Sequence, residues 1–240
     1  MKIQNSFQAR QNCPVCDIRS SGFFCDLASS ALSAFSAVTI PNTYPKGSLL
    51  FLEGQASNGV YVLCKGQVKL SICSPAGKSI ILRIAEPGEV LGLNAAVNDT
   101  LLDSTAEVLE NCHVNFVRKS DFVRLLEQYG SACFNAVKQM SREYNAAHRQ
   151  IRSLGLSHSV GDRLIKLLLG WCGQNGNGEA IRLRANFTHE EIAEMIGTSR
   201  ETVTRILKDL RDRELVSQKG AHMVIHDRDR LRRAIGTRLR

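Results

Sequence analysis

The chain has 240 residues, 43% apolar and 22% charged, the balance of a soluble globular protein with one or two packed domains, which argues against both disorder and a membrane-spanning protein. No stretch approaches the roughly 18 uninterrupted apolar residues that cross a bilayer, and the opening MKIQNSFQARQNC lacks the apolar run of a secretory signal, so a cytoplasmic location with no membrane partner is expected. The 31 Lys+Arg against 23 Asp+Glu leave a net charge of +8, and residues 158–240 alone hold 16 basic and 11 acidic side chains. A basic C-terminal block fits nucleic acid, although a solvated basic tail such as RDRLRRAIGTRLR gives the same count. Eight cysteines are too few for a disulfide scaffold in a chain of this length and leave metal or redox chemistry as their use.

Residues 1–28 form a cysteine-bearing segment, and residues 29–129 read as a sensory domain of all-β character. From Tyr44 to Val117, short apolar runs (SLLFL, VYVL, QVKLSI, SIILRI, CHVNFV) are punctuated by Gly47, Gly54, Gly66, Gly77 and Gly88, and PAGK at Pro75 to Lys78 offers a tight hairpin turn. An antiparallel roll or small barrel follows from this pattern.

The period then changes. Over residues 130–156, Cys133, Val137, Met140, Tyr144, Ala147, Ile151 and Leu154 alternate steps of four and three, which predicts a helix of about 24 residues and roughly 36 Å, capped by Ser131 and stopped by Gly155. Such a helix outreaches one small domain, so Val137, Met140, Tyr144, Ala147, Ile151 and Leu154 are the expected seam between two copies of the chain. A core helix lying on the roll is the alternative.

Residues 157–240 begin with an apolar-periodic segment, Val160 to Trp171, and a loop, GQNGNG. Those glycines follow a helix and lead toward a strand, the reverse of a nucleotide-binding fingerprint. FTHEEIAEMIGTSRETVTRILKDLRDRELV then carries two short helices. Thr188 with Glu191 makes a capping box ahead of Ile192, Met195 and Ile196, Gly197 breaks the helix, and Ser199 caps the next one, whose Val203, Ile206, Leu207 and Leu210 point inward. This is a helix-turn-helix. Arg200 near the helix start can grip guanine through two parallel hydrogen bonds and Glu201 can accept from cytosine, while Thr188, Ser199, Thr202, Arg205 and Lys208 complete the expected DNA-binding set. QKGAHMVIHD has the turn-and-strand pattern of a wing. His189 and Glu190 begin like a zinc-protease helix, but Ala193 stands where its second histidine belongs. No catalytic constellation stands out, and no enzyme is expected.

Roll, long helix and winged helix-turn-helix in this order, an α+β chain, resemble the Crp/Fnr family of bacterial transcription regulators over roughly residues 29–230. SRETVTRIL resembles the recognition helix of its cyclic-AMP receptor branch, and by that resemblance Arg200, Glu201 and Arg205 read bases. The resemblance further implies a homodimer on palindromic double-stranded DNA, with RNA polymerase as a partner. GEVLGLNAAV matches the opening of the family's ligand cassette, but Asp103 and Ser104 replace its phosphate-holding Arg-Ser pair and no other arginine lies between Arg83 and Arg118, so cyclic AMP is not the expected ligand. Cys13, Cys16 and Cys25, spaced C-x2-C-x8-C, resemble the cluster-binding cysteines of the Fnr branch, with Cys112 in the segment that resembles its distant fourth ligand. That resemblance implies a four-iron, four-sulfur cluster and so a redox or oxygen signal; zinc would accept the same thiolates, and a thiol switch or plain core thiols are the other readings. A metal- or small-molecule-binding protein whose C-terminal domain contacts protein is the alternative function. Cys64, Cys73, Cys133 and Cys172 read as small core residues.

Overall fold

Period-two alternation of apolar residues dictates strands through the first half of the chain, and the computed structural model, which describes residues 13, 16, 23–172, 181–183, 187–219 and 222–237, contains them. The chain divides into two compact units, Met1–Ile72 with Leu82–Asn145, and Cys73–Ile81 with Ala146–Arg240.

The N-terminal half opens with a 3-10 turn, Phe23–Asp26, and helix α1, Ser29–Val38. Strands β1 (Ile40–Tyr44), β2 (Leu49–Phe51), β3 (Gly59–Lys65), β4 (Val68–Cys73), β5 (Ser79–Ala85), β6 (Val90–Leu91), β7 (Thr105–Val108) and β8 (Cys112–Arg118) follow, with α2 (Leu93–Asn98) between β6 and β7. They form two four-stranded sheets, ordered β1-β8-β3-β6 and β2-β7-β4-β5. The β4–β5 turn is the expected one: Gly77, at φ +78°, sits between Ser74 and Lys78, whose backbones pair at 2.9 Å.

Alternation along β3 and β8 assigns their side chains to two cores. Val60 and Val62 of β3 and Val117 of β8 join Phe24, Leu27, Leu32, Phe35 and Phe122 in one; Leu63 of β3 and Cys112 and Val114 of β8 join Leu50, Phe51, Val68 and Val108 in the other. Each large aliphatic or aromatic side chain removed from water this way contributes about 1.5–3 kcal/mol. Helix α3, Lys119–Gln128, closes the roll by burying Phe122 and Leu125.

The long helix α4 runs 27 residues, Gly130–Leu156. It starts one residue ahead of the expected Ser131 cap because the carbonyl of Tyr129, where α3 ends, accepts from the amides of Ala132 and Cys133 at 2.9 and 3.1 Å. Gly155 lies inside its last turn rather than ending it, at a helix-propensity cost of about 1 kcal/mol that a frayed end tolerates.

Beyond it come α5 (Val160–Trp171), β9 (Ile181–Leu183), α6 (His189–Ile196), α7 (Arg200–Asp212), β10 (Val216–Lys219), β11 (His222–Ile225) and α8 (Arg228–Arg233). Ser159 caps α5 by accepting from the amide of Asp162. The three strands form an antiparallel sheet ordered β10-β11-β9, in which Val216 pairs with Ile225 and Lys219 with His222. The β10–β11 hairpin is the expected wing. The GQNGNG loop lies outside the described residues.

Candidate nucleic-acid interface

The geometry of α6 and α7 follows from their caps. Thr188 Oγ1 accepts from the amide of Glu191 at 3.1 Å while the Glu191 carboxylate accepts from the amide of Thr188 at 2.7 Å, a closed capping box. Gly197 ends α6 in the left-handed region at φ +65°, and a Cβ there would stand 3.0 Å from Leu154 Cδ2, so both the turn and its packing want glycine. Ser199 caps α7 by accepting from Thr202 at 3.3 Å.

Val203, Ile206, Leu207 and Leu210 are buried, which leaves Arg200, Glu201, Arg205 and Lys208 exposed on the far side of the same helix. The Glu201 carboxylate is held below the usual range, first by its own backbone amide and then by the Ser199 side chain, so it is an acceptor at neutral pH. His189 was read only as part of a false zinc motif; its ring Nδ1 lies 2.8 Å from the Thr204 hydroxyl and ties α6 to α7. Burial, then Arg211 and Arg200, push the ring pKa down, so it is held neutral there. Their fifteen-residue separation hid this pair from local pattern reading.

Of the expected seam on α4, Val137, Tyr144, Ala147 and Ile151 are exposed. Met140 packs instead against the roll core around Phe24 and Phe35, and Leu154 sits against Gly197. Phe134 takes the vacated end of the exposed row, with Lys138 Nζ 4.5 Å from its ring centroid. Gln139, fully buried, binds both backbone groups of Val90: its Oε1 accepts from the amide at 2.9 Å and its Nε2 donates to the carbonyl at 2.6 Å. Glu143 accepts from Gln139 and pairs with Arg83, which also pairs with Glu89. A lone glutamine in a polar helix stretch carries no periodic signal, and sequence reading passed over it.

In the roll, Asp103 is exposed, and its carboxylate accepts from Asn94 Nδ2 and Ser104 Oγ, both at 3.2 Å. An anion thus stands where the resembling cassette has its cation.

None of the eight cysteines forms a disulfide. Cys13 and Cys16 are joined by a backbone hydrogen bond from the Cys16 amide to the Cys13 carbonyl at 3.4 Å, and Cys13 packs on the core that holds Phe24. Burial raises the Cys13 thiol pKa, and the neighbouring Cys25 and Cys16 raise it further. Cys112, grouped with these three by sequence, is not brought to them: it is buried in the other core, its thiol directed to the carbonyls of Gln67 and Glu110 at 3.4 and 3.1 Å. The cause is strand parity, since Cys112 and Asn115 point to opposite faces of β8. Cys64, read as a core residue, is the cysteine whose ionisation is coupled to Cys25, Cys13 and Cys16; burial foremost, then those three thiols, push it up to about 12. Among the described residues no three His, Cys, Asp or Glu side chains stand at metal-binding spacing. Cys73 and Cys133 are exposed and Cys172 is buried.

Comparison with known proteins agrees with this layout. Residues 41–129 match the family model of the cyclic nucleotide-binding domain, and residues 162–234 match that of the Crp-like helix-turn-helix domain. The chain is 25% identical to a CRP-like cAMP-activated global transcriptional regulator of Mycobacterium tuberculosis, over 89% of this chain and 96% of the relative. It is 27% identical to an anaerobic regulatory protein of Bacillus subtilis, over 86% and 89%. Among solved structures, the c-di-GMP responsive global regulator CLP of Xanthomonas campestris superposes with a TM-score of 0.73 at 18% identity, over 83% of this chain and 99% of that one, a likeness of fold. These relatives are named for different signals on one architecture, so the signal has to be argued from this chain's own residues. No described helix is long and apolar enough to cross a membrane. With a cyclic-nucleotide-binding-type roll, a long helix and a Crp-like helix-turn-helix in that order, the chain is a DNA-binding transcription regulator of the Crp/Fnr family.

Proposed function

We propose that the chain works as a homodimer on palindromic double-stranded DNA and that its signal is redox or oxygen, read by the roll through cysteine thiolates rather than through cyclic AMP. The observation that carries the dimer is the apolar row on α4: Phe134, Val137, Tyr144 and Ile151 are 60, 55, 63 and 66% exposed. A chain that spaces four large apolar side chains by three, seven and seven residues along one helix face gains by pairing that face with itself. Two-fold symmetry then sets two copies of α7 into major grooves about one helical turn apart, and by resemblance each half-site carries a G-T-G-A core, with RNA polymerase as the further partner.

Arg200, Glu201 and Arg205 are the base readers; Thr188, Ser199, Thr202 and Lys208 hold phosphates and orient the helix. Signal reaches DNA as a shift of population between dimers whose recognition helices match the half-site spacing and dimers whose helices do not. Against cyclic AMP stands Asp103, a carboxylate that repels a cyclic phosphate. For the thiolate reading stand Cys13, Cys16 and Cys25, three thiols close in sequence, the first of them packed on the roll core. A four-iron, four-sulfur cluster bound there would supply the response to oxygen, and zinc would give a structural site instead. The chain's function in the cytoplasm, without catalysis, fits the same reading.

Tyr144→Arg and Ile151→Arg test the dimer by placing like charges opposite each other across the two-fold axis. Dimerisation by sedimentation and binding to the palindrome are expected to fall together, and a variant that stays dimeric at micromolar concentration overturns the interface. Calorimetry tests the ligand: a dissociation constant for cyclic AMP in the micromolar range or tighter overturns the cassette reading, whereas a gain of affinity in Asp103→Arg supports it.

A further inference from the structure

Strand parity separates two groups of residues in the central sheet. On β8, Cys112 and Val114 belong to the core around Phe51 and Leu63, and Val117 to the core around Phe24 and Phe35. Asn115 shares the parity of Val117 and donates from Nδ2 to the sulfur of Cys13 at 3.8 Å. That contact puts Cys13 over the face of β8 that Cys112 does not occupy. Cys112 is moreover enclosed: a Cβ added at Gly66 would lie 2.5 Å from its sulfur.

The neighbouring strand answers Asn115 from the same side. Val62 pairs with Asn115 and Leu63 with Val114, but the next partner of β8, His113, pairs with Lys65, so the register shifts and Cys64 is left as the extra residue of a bulge. A bulge re-aims the side chain of its unpaired residue and is a recurrent device beside functional sites. Counting from Val60 and Val62, Cys64 has the parity of the core on which Cys13 packs. The Cys64 thiol donates to the carbonyl of Val62 at 3.7 Å, and Asn115, the partner of Val62 across the two strands, serves Cys13 through its side chain.

We infer that Cys64 supplies the fourth thiolate of a soft-metal site whose other ligands are Cys13, Cys16 and Cys25, and that Cys112 is a core residue with no part in it. The inference rests on the thiolate reading proposed above for the kind of metal, but not for the ligand set. The Cys64 thiol lies near those of Cys25, Cys13 and Cys16, and a soft metal that displaces their protons is the partner that neighbouring thiols fit. Asn115 Nδ2 and the Ser36 hydroxyl, which hydrogen-bonds Cys13, are the donors that would hold the ligating sulfurs in place. Because the sulfurs are not at ligand spacing as they stand, loading has to bring those of Cys13, Cys16 and Cys25 closer to Cys64. A metal would thereby tie those three cysteines to β3.

The test is metal content. Full-length chain is purified without oxygen and reconstituted with ferrous iron and sulfide, or with zinc alone, and iron, sulfide and zinc per chain are measured beside visible absorption. Cys64→Ser is expected to lose at least tenfold of the bound metal, and Cys112→Ser to keep the wild-type content, with circular dichroism confirming that both fold. Retention by Cys64→Ser with loss by Cys112→Ser overturns the inference while the cluster reading stands. Zinc at one per chain, lost in Cys64→Ser, upholds the ligand set and ends the iron–sulfur reading. A wild-type chain that takes up neither metal overturns both. Should Cys64→Ser not fold, loaded and metal-free wild-type chains are alkylated at a denaturant concentration that exposes every thiol of the metal-free form. Protection of Cys64 with labelling of Cys112 supports the assignment; the reverse pattern overturns it.

Discussion

The helix-turn-helix and the roll place their chemistry in opposite ways. In α7 every side chain proposed to read DNA lies within nine residues of its neighbours in sequence, and burial of Val203, Ile206, Leu207 and Leu210 forces Arg200, Glu201, Arg205 and Lys208 outward. In the roll, the side chains that meet come from distant positions: Asn115 reaches Cys13, and Gln139 reaches Val90. A helix carries its own register, with 3.6 residues per turn, whereas a strand's partners are chosen by the whole sheet. Local sites therefore survive small errors of boundary, and sites built across strands do not survive an error of one residue.

The largest effect on the helical side should come from Arg200→Ala. Loss of a bidentate guanine contact in each subunit costs about 1–3 kcal/mol per subunit and flattens preference at that base, while Lys208→Ala weakens all sequences alike; competition gel shifts with single-base variants of the half-site distinguish the two. Unchanged selectivity in Arg200→Ala breaks the comparison at its stronger end.

On the roll side, Gln139→Ala leaves the amide and carbonyl of Val90 without their buried partner. Thermal unfolding should show a loss of about 2–3 kcal/mol, since an unsatisfied buried polar group costs about 1–3 kcal/mol. A smaller loss in Gln139→Glu, which keeps one acceptor, would sharpen the assignment to hydrogen bonding rather than packing.

A smaller change is expected from Thr188→Ala. The capping box is lost, and α6 should be destabilised by about 1 kcal/mol, read in chemical denaturation; a neutral result would mean that tertiary packing alone holds the helix start.

The smallest effect concerns Asp227, whose carboxylate caps α8 by accepting from the amides of Arg230 and Asp229. Hydrogen bonding, from Arg230 first, lowers its pKa below the ordinary 3.8. Its stabilising contribution is therefore complete above the unfolded-state pKa and lost as pH falls through the lower folded-state value. Melting curves between about pH 2 and pH 6 should show a small acid-dependent component that Asp227→Asn removes.

Much of this molecule was written in local pattern. Period two over the strands, the change of period after Gly130, the Thr188–Glu191 box, the Gly197 break and the Ser199 cap are each decided by residues within one turn or one strand of each other, and the structure has them where the sequence put them. Tertiary structure decided the rest. Met140 joined the roll core and Phe134 the exposed row because a helix between two possible partners does not announce in its period which flank faces which. Cys112 went to one core and Cys64 toward the other because the side of a sheet that a cysteine serves depends on strand parity and on a bulge. A bulge is a property of paired strands, and no single strand's sequence contains its partner.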